Sequence, residues 1–331
     1  MKIQLSFCIP TYNRVGKLEN AVKSIINSIE NSQKNLLVNF EIVISDNSST
    51  DNTEEVVSKM IKTFGSENII IKYFRNEINV GASKNFINLP KLASGEYIWF
   101  FSDDDYMLET AVDSFLNIYT KKYSFIFSAR LLADKDLNIK NIKSQPQLGK
   151  LNSEFKTGYE MVNKLGVDIM GVLGFYSSII IKRELWINDK RIFSDASEFE
   201  YLKILLDVIK LNSCFIIEKP GVLCRVEYRG FNGNDSYVWL DNYIDAFHFA
   251  NEIGYVELRC KEMVKSILRN FSLDFVISKA LGKRKGNLFQ FKKSKLWYDE
   301  KYFNYLFLIS LLPSFALNFL YRIRVFLKTS F

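Results

Sequence analysis

Strand-like and helix-like segments alternate along the first 130 residues of this 331-residue chain. Short apolar runs fit strands, and apolar residues spaced three and four apart fit the amphipathic helices between them. The strand-like runs are Ile3–Ile9, Glu41–Ile44, Ile69–Phe74, Tyr97–Phe101 and Tyr123–Phe127. Because these runs are apolar throughout, the pattern predicts an α/β protein with a mostly parallel sheet covered by helices on both faces.

The remainder of the chain is less regular. A strand is predicted over Phe175–Ile181, a helix over Glu198–Lys210 and a further strand over Cys214–Ile217. From about Ser236 onward the apolar spacing is helical. We therefore predict an α/β core over residues 1–230, divided near residue 130, and a helical C-terminal extension over residues 231–331.

The composition argues against several kinds of protein and site. The chain is 48% hydrophobic and 24% charged, which is typical of a globular protein and not of a disordered one. His248 is the only histidine, which argues against a multi-histidine metal site or histidine-based catalysis. The four cysteines form no Cys-x-x-Cys pair, so reduced thiols are expected.

The positive charge is concentrated at the C-terminal end. The whole chain has a net charge of +7, and residues 251–331 carry 15 basic against 6 acidic residues. Tyr302–Tyr321 has no charged residue and is rich in Phe, Leu and Ile, and Arg322, Arg324 and Lys328 follow it.

Two interpretations of this C-terminal region are open. Pro313 and several polar residues interrupt the uncharged stretch, which favours a helical hairpin or a segment lying on a membrane surface over a membrane span. The alternative is an ordinary core or dimer helix pair. No RNA- or DNA-binding motif accompanies the basic residues, so no nucleic-acid partner is predicted.

Carboxylates follow two of the predicted strands at the point where each strand ends. Asp46 follows the second strand, and Asp103, Asp104 and Asp105 follow the fourth. Three adjacent carboxylates repel one another, so stability alone would not place them together. A hard divalent cation would neutralise them, and open α/β sheets bind ligands beyond the carboxyl ends of their strands. A solvated acidic turn or a helix N-cap is the alternative.

Three residues suit a nucleotide ligand. Tyr12 offers a flat ring on which a nucleobase can stack. Asp46 can accept a hydrogen bond from a base imide N–H or from a ribose hydroxyl. Lys84 stands in the first turn of a predicted helix, where its ammonium group would meet a diphosphate. The alternatives are core packing for Tyr12, helix capping for Asp46 and a solvated surface position for Lys84.

Four sequence blocks resemble the opening of family 2 glycosyltransferases. They are Ile9–Arg14 (IPTYNR), Asp46–Asp51 (DNSSTD), Asn79–Gly81 (NVG) and Ala93–Asp105 (ASGEYIWFFSDDD). The last block and Phe175–Trp186 are similar to the abequosyltransferase-like branch that builds bacterial O-antigens. The resemblance implies the GT-A fold, with nucleotide-sugar binding in residues 1–130 and the acceptor side in residues 131–230.

The resemblance also implies roles for residues near the donor nucleotide. Pro10 and Tyr12 would border the nucleobase, and Asp46 matches the family's base-reading aspartate. Arg14 and Lys84 are expected in the same nucleotide-sugar site.

The three consecutive aspartates match the family's metal and diphosphate region. Asp103 and Asp105 would form the Asp-x-Asp pair for Mg²⁺ or Mn²⁺, with Asp105 as the direct ligand. Asp104 would lie near the ribose or the diphosphate. Asn47 and Ser48 depart from the family's usual aspartate and glycine, but both stand in the turn rather than at the base contact.

An inverting sugar transfer needs a carboxylate that takes the proton of the acceptor hydroxyl. The family places this base in an acidic-aromatic segment that opens a helix after the acceptor region. Glu198 is the first candidate here, Asp195 the second, and Glu200 is a third. The family's usual Glu-Asp pair is absent, since Phe199 follows Glu198. Helix-start carboxylates that complement the helix dipole are the alternative.

The resemblance implies a non-processive, inverting, metal-dependent glycosyltransferase. It would move one sugar from a nucleotide-sugar donor to a saccharide or lipid-linked acceptor in O-antigen or capsule synthesis. The Gln-x-x-Arg-Trp signature of processive synthases is absent. The expected location is cytoplasmic, at the inner face of the cell membrane, with peripheral contact through the C-terminal region.

Two competing functions follow from the same residues. A catalytically silent protein that binds nucleotide sugars would keep Tyr12 and Asp46 and lack a working base. A sugar nucleotidyltransferase also uses an α/β sheet and Mg²⁺, but it would need a Gly-rich phosphate loop after the first strand, where Pro10–Arg14 stands instead.

Overall fold

The computed structural model describes residues 2–34, 38–139, 154–188, 200–225, 235–281 and 308–329. The chain divides into two compact units, which are Met1–Ala196 with Glu200–Glu227, and Ser197–Phe199 with Tyr228–Phe331. The division near residue 130 and the boundary at residue 230 stay predictions.

A single mixed sheet organises the described part of the first unit. Its strands are β1 (Leu5–Thr11), β2 (Phe40–Asp46), β3 (Ile69–Arg75), β4 (Tyr97–Phe100), β5 (Tyr106–Met107), β6 (Phe125–Ala133), β7 (Glu154–Phe155), β8 (Ile179–Lys182) and β9 (Cys214–Arg225). They lie in the order β3-β2-β1-β4-β8-β6-β9-β5, and β7 pairs with β9.

The helices of the first unit connect these strands. They are α1 (Val15–Glu30), α2 (Thr53–Phe64), α3 (Ala82–Leu92), α4 (Ala111–Tyr119), α5 (Gly158–Leu165), α6 (Ile169–Leu173), α7 (Arg183–Ile187) and α8 (Glu200–Ile209). Each of α1, α2 and α4 buries one apolar face, and Val22, Val57 and Phe115 from these faces are fully buried in the same core.

The parallel strands bring distant residues to one edge of the sheet. β3, β2, β1 and β4 are parallel neighbours, whereas β8 is antiparallel to both β4 and β6. Thr11 pairs with Asp46 in the β1–β2 register, and Cys8 pairs with Phe100 in the β1–β4 register. The loops after β1, β2 and β4 therefore share the carboxyl edge, where α/β sheets bind ligands.

A buried polar cluster joins the opposite, amino-terminal ends of β1, β2 and β4. Glu41 is fully buried, and its Oε2 accepts hydrogen bonds from the Ser6 hydroxyl at 2.5 Å and the Ser94 N–H at 2.7 Å. Lys72 Nζ lies 2.5 Å from the other carboxylate oxygen. The Ser6 hydroxyl in turn accepts a hydrogen bond from the Gly95 N–H at 2.9 Å. These hydrogen bonds and the ion pair with Lys72 offset the cost of burying a carboxylate.

The second unit is helical where the structure describes it. Its helices are α9 (Asp235–Glu252), α10 (Glu257–Ala280) and α11 (Ser314–Thr329). Lys279 on α10 donates to the Ser310 carbonyl at 2.6 Å, and Asn318 on α11 donates to the Ala280 carbonyl at 2.9 Å. Among the described helices, none combines the length and the apolar character that a membrane span requires.

The predicted α/β core and helical C-terminal end are confirmed, with two local differences. Phe175–Ile181 was expected to be a continuous strand, but Tyr176–Ser178 form a 3₁₀ turn before β8 begins at Ile179. The turn directs the Ser177 hydroxyl to Asp105, a tertiary contact that the apolar run does not encode. β9 is also longer than the predicted Cys214–Ile217.

Candidate active site

The loop after β1 reaches across to the loop after β4, residues Ser102–Asp105, which we call the acidic loop. The Thr11 hydroxyl donates to Asp103 Oδ2 at 2.8 Å. Arg14 Nη1 lies 3.1 Å from Asp103 Oδ1 and 3.2 Å from Asp104 Oδ2. One guanidinium therefore neutralises part of the charge of two carboxylates. The structure brings Arg14 together with the acidic loop, as a shared site requires.

Tyr12 and Pro10 occupy the outer part of the same loop. Tyr12 is 42% exposed, so its ring is open to a stacking partner and does not pack in the core. Pro10 is half-buried at the end of β1. The following residue, Asn13, has a φ of 52° in the left-handed region and accepts a hydrogen bond from the Thr50 N–H at 2.7 Å. This bond holds the loop beside the turn after β2.

Asp46 lies at the carboxyl end of β2 and is almost fully buried. Its Oδ1 accepts the Ser49 N–H at 2.9 Å, and its Oδ2 accepts the Tyr73 hydroxyl at 2.6 Å. Arg75 Nε stands 4.0 Å from Oδ2. Each carboxylate oxygen has two lone pairs, so these contacts leave room for a further donor.

Tyr73 and Arg75 were missed by the sequence analysis. Both belong to β3, and the register pairs Asp46 with Arg75. Polar side chains at the end of a third parallel strand were the available signal.

The turn after Asp46 explains one of the two departures from the family pattern. Asn47 donates to Asn79 Oδ1 at 2.7 Å, and its own Oδ1 accepts the Val80 N–H at 3.0 Å. An aspartate could not make the first of these bonds, because an ionised carboxylate has no donor. Ser48 has a φ of 68°, a left-handed conformation that glycine adopts more easily.

Lys84 is exposed in the first turn of α3. The loop that leads into this helix is tied to the end of β2, because Asn47 binds both Asn79 and Val80. The Asn76 N–H also donates to the Asp46 carbonyl at 2.9 Å. These bonds fix the entry to α3 beside Asp46, and the Lys84 side chain is exposed one turn into that helix.

The acidic loop is held by residues distant in sequence. Asp105 is buried, and its two oxygens accept the Ser177 hydroxyl at 2.5 Å and the Arg225 N–H at 3.0 Å. Asp104 Oδ1 accepts the Ser102 hydroxyl at 2.5 Å, and Ser102 accepts the Tyr176 hydroxyl at 3.0 Å. Arg225 Nε donates to the Asp104 carbonyl at 2.8 Å.

These supporting residues were also missed by the sequence analysis. Ser177 belongs to the segment predicted as strand, and Arg225 ends a strand that was predicted to stop at Ile217. No local pattern pairs either residue with the acidic loop.

Burial and a neighbouring carboxylate raise the pKa of two of the three aspartates. Burial raises the pKa of Asp103 to about 6, with Arg14 opposing the rise and Asp104 adding to it. Burial raises the pKa of Asp105 to about 7, and Asp104 contributes in the same direction. A nearby cation would act in the opposite direction, because it favours the charged form of a carboxyl group.

The chemistry of the acidic loop fits a hard divalent cation. All of the candidate ligand atoms are carboxylate oxygens, and Asp105 uses only two of about four lone-pair sites in the hydrogen bonds above. Across the described ranges, however, no three His, Cys, Asp or Glu side chains form a group that could hold a metal ion. Water and substrate oxygens would therefore complete the coordination.

Of the three candidate bases, only Glu200 lies in the described part of the chain. Asp195 and Glu198 lie outside the described residues. Glu200 begins α8, and its Oε1 lies 3.3 Å from Lys203 Nζ one turn later. The choice among the three stays a prediction.

Comparison with known proteins shows the family. The model of "Glycosyl transferase family 2" matches residues 6–182, more than half of the chain. The chain belongs to glycosyl transferase family 2. The match includes β1, β2 and β4 with their three carboxyl-end loops, and it ends in β8, so the predicted resemblance is confirmed.

Two curated relatives extend this assignment. Abequosyltransferase RfbV of Salmonella typhimurium is 30% identical over 80% of this chain and 79% of its own length. The GalNAc(5)-diNAcBac-PP-undecaprenol beta-1,3-glucosyltransferase of Campylobacter jejuni is 34% identical over 41% of this chain and 40% of its own length. The second similarity is thus limited to part of each protein.

A solved structure confirms the fold. The S. aureus TarS fragment 1–349 in complex with UDP superposes with a TM-score of 0.55 at 17% identity, covering 86% of this chain and 76% of the fragment. At this identity the likeness concerns the fold alone. The first unit accordingly has the GT-A architecture that the family resemblance implied.

Proposed function

We propose that this glycosyltransferase moves one sugar from a nucleotide-sugar donor to a saccharide acceptor, with inversion at the anomeric carbon and release of the product after each transfer. The convergence of Asp46 and the acidic loop with Thr11 and Arg14 at one sheet edge carries the proposal. The relatives that transfer abequose and glucose support the same reaction class.

The donor nucleotide lies across the carboxyl ends of β1, β2 and β4 in this proposal. Tyr12 stacks on the nucleobase, and Pro10 borders it. Asp46 accepts a hydrogen bond from the base, with Tyr73 and Arg75 fixing the orientation of its carboxylate. Lys84 and Arg14 supply positive charge for the diphosphate.

Asp103 and Asp105 would hold Mg²⁺ or Mn²⁺, which when bound stabilises negative charge on the departing diphosphate. Arg14 contributes at the same place, because its guanidinium is already fixed between Asp103 and Asp104. A preorganised positive charge stabilises a leaving anion without further rearrangement. Asp104, with its Oδ2 towards Arg14, lies near the ribose or the diphosphate.

A carboxylate must also remove the proton of the acceptor hydroxyl as that oxygen attacks the sugar. Glu198 is our first choice for this base and Asp195 the second. Both precede α8, which begins at Glu200.

The acceptor is proposed to be lipid-linked, in the synthesis of a bacterial surface polysaccharide. The name of the Campylobacter relative includes an undecaprenol-linked saccharide. The basic C-terminal quarter of this chain also suits contact with an anionic membrane. The enzyme would then work at the inner face of the cell membrane through a peripheral contact.

The decisive test is release of nucleoside diphosphate from a panel of nucleotide sugars with Mn²⁺. We expect Asp105→Asn and Asp104→Asn to lower turnover about 100-fold, because the first weakens a proposed metal ligand and the second removes a carboxylate that holds Arg14 at the diphosphate. Asp113→Asn is the matched control, because this aspartate lies on α4 and contacts Ser32 outside the site. Unchanged turnover in Asp105→Asn, with native circular dichroism, would disprove the metal assignment, and unchanged turnover in Asp104→Asn would disprove a role for Asp104 beside the diphosphate.

A catalytically silent binding protein is the second candidate. The absence of the Glu-Asp pair is the observation that favours it. Binding of a nucleotide sugar with no detectable sugar transfer, in the wild type and in Glu198→Gln and Asp195→Asn alike, would select this function.

A further inference from the structure

The outer side of the α11 region exposes an apolar surface, which we call the outer patch. It consists of six large apolar side chains that are each 38% to 78% exposed: Leu308, Leu311, Leu312, Phe315, Phe319 and Leu320. Phe315 and Phe319 are one helical turn apart, at 78% and 67% exposure. The segment that carries the patch has no charge of its own, because residues 302–321 contain no Lys, Arg, Asp or Glu.

The opposite side of α11 is packed against its own unit. Leu317 is 2% exposed, and Asn318 donates to the Ala280 carbonyl at the end of α10. Lys279 donates to the Ser310 carbonyl just before α11. These contacts fix which side of the helix faces inward, so the exposure of the outer patch is a property of the folded unit.

Exposed phenylalanines and leucines at this density need a partner. Monomeric proteins rarely leave contiguous apolar surface uncovered unless it serves an interaction or a membrane. The charge of the adjacent sequence indicates the charge of the partner. Residues 282–331 contain ten Lys or Arg and two Asp or Glu, and the charges flank the uncharged stretch on both sides.

We propose that the outer patch inserts into the interfacial region of an anionic lipid bilayer. The six apolar side chains bury into the boundary between headgroups and acyl chains, while the net positive charge of residues 282–331 favours an anionic surface. This deepens the proposed function by naming the surface that contacts the membrane, and it rests on that function only for the biological role of the contact.

Charge decides against a second copy of the chain as the occupant. Two copies facing each other through the patch would bring two strongly basic segments together, and like charges oppose such an association. An anionic bilayer instead supplies the opposite charge and the apolar layer in one surface.

Flotation of the full-length chain with vesicles tests the proposal. We expect binding to phosphatidylcholine vesicles that contain phosphatidylglycerol and much weaker binding to phosphatidylcholine alone. Phe315→Ser combined with Phe319→Ser should weaken binding at least about tenfold, since insertion scales with buried apolar area. Leu211→Ser is the matched control, because Leu211 is 68% exposed in the first unit. Equal binding by the double variant and the wild type would overturn the proposal.

A labelled variant gives a second readout that does not depend on tolerance of the double substitution. The cysteines at 8, 214, 224 and 260 are all buried, so Phe315→Cys can be labelled selectively with an environment-sensitive fluorophore. Its emission should shift to the blue with anionic vesicles. No shift, or a shift caused by self-association without vesicles, would contradict membrane insertion.

The two proposals fail separately in these experiments. Release of nucleoside diphosphate from a soluble donor needs no vesicle, so the double variant should retain wild-type turnover in that assay. Loss of vesicle binding with intact turnover supports the outer patch. If the wild type bound vesicles but showed no turnover, the membrane contact of the outer patch would be supported and the proposed reaction would be disproved.

Discussion

Glu41 illustrates how single residues set the stability of the first unit. Burial by itself raises the pKa of this carboxyl, but hydrogen bonds from Lys72, Ser6 and Ser94 hold the pKa below its ordinary value overall. A pKa that is lower in the folded than in the unfolded state stabilises the fold at pH values above the unfolded pKa, about 4.3. That stabilisation is lost as the pH falls through the folded pKa.

We expect Glu41→Gln to lower the free energy of unfolding at pH 7 by about 2 kcal/mol, because it removes charge-assisted hydrogen bonds. The loss of stability between pH 5 and 3, a window set by the ordinary glutamate pKa of about 4.3, should also be shallower in the variant. Urea unfolding across this range measures both effects. Glu55→Gln is the control, since Glu55 forms an exposed ion pair with Lys59 and should change little. Parallel profiles of stability against pH for Glu41→Gln and the wild type would contradict this contribution of the Glu41 carboxylate.

At the same scale, sequence reasoning found the residues that follow strands and missed those that support them. Asp46 and the three aspartates were predictable because they interrupt apolar runs at strand ends. Tyr73, Ser177 and Arg225 were not, because their roles depend on pairings between segments far apart in sequence. The base candidates Asp195 and Glu198 stay predictions from the family pattern.

At the scale of elements, the approach of β4 to β1 depends on Gly95. A Cβ built there would lie 2.8 Å from the Ser6 backbone nitrogen and 2.8 Å from the Tyr97 carbonyl oxygen. Gly16 in α1 is the opposite case, with no heavy atom within 4 Å of its built Cβ. The two glycines make a matched pair for the same substitution.

Gly95→Ala should destabilise the chain by about 2 kcal/mol, because backbone atoms cannot move aside as a flexible side chain can. Gly16→Ala should instead stabilise it by about 0.5 kcal/mol through a less flexible unfolded chain. Chemical denaturation of both variants measures the difference. If Gly95→Ala were as stable as the wild type, β1 and β4 would not be held at this separation.

Helices and strands were predicted well where the spacing of apolar residues and the length of the segment indicated the same element. They were predicted poorly where tertiary contacts decided the local structure. The helix that was predicted to carry Lys84 in its first turn is α3, Ala82–Leu92. The antiparallel insertion of β8 between β4 and β6 was not foreseen, because apolar runs do not reveal strand direction. The 3₁₀ turn at Tyr176–Ser178 was missed for a related reason, since its Ser177 bonds with the acidic loop.

At the scale of the whole molecule, charge and structure divide the chain in a similar way. Residues 251–331 have a net charge of +9, while the preceding residues have a net charge of −2. The nearly neutral part includes all of the described donor-site residues, and the basic part includes the outer patch. The net charge of +7 therefore comes from the C-terminal region and not from the residues of the proposed donor site.

Donor binding should therefore stabilise the full-length chain independently of the outer patch. A ligand at 100 times its dissociation constant adds about 2.7 kcal/mol to the folded state, so the matching nucleoside diphosphate with Mn²⁺ should raise Tm by several degrees. Phe315→Ser with Phe319→Ser should show the same rise, whereas Asp46→Asn should show a smaller rise relative to its own baseline. The absence of a shift with every nucleoside diphosphate, with and without Mn²⁺, would contradict a donor site at the carboxyl edge. A shift abolished by the patch variant alone would place that ligand at the second unit instead.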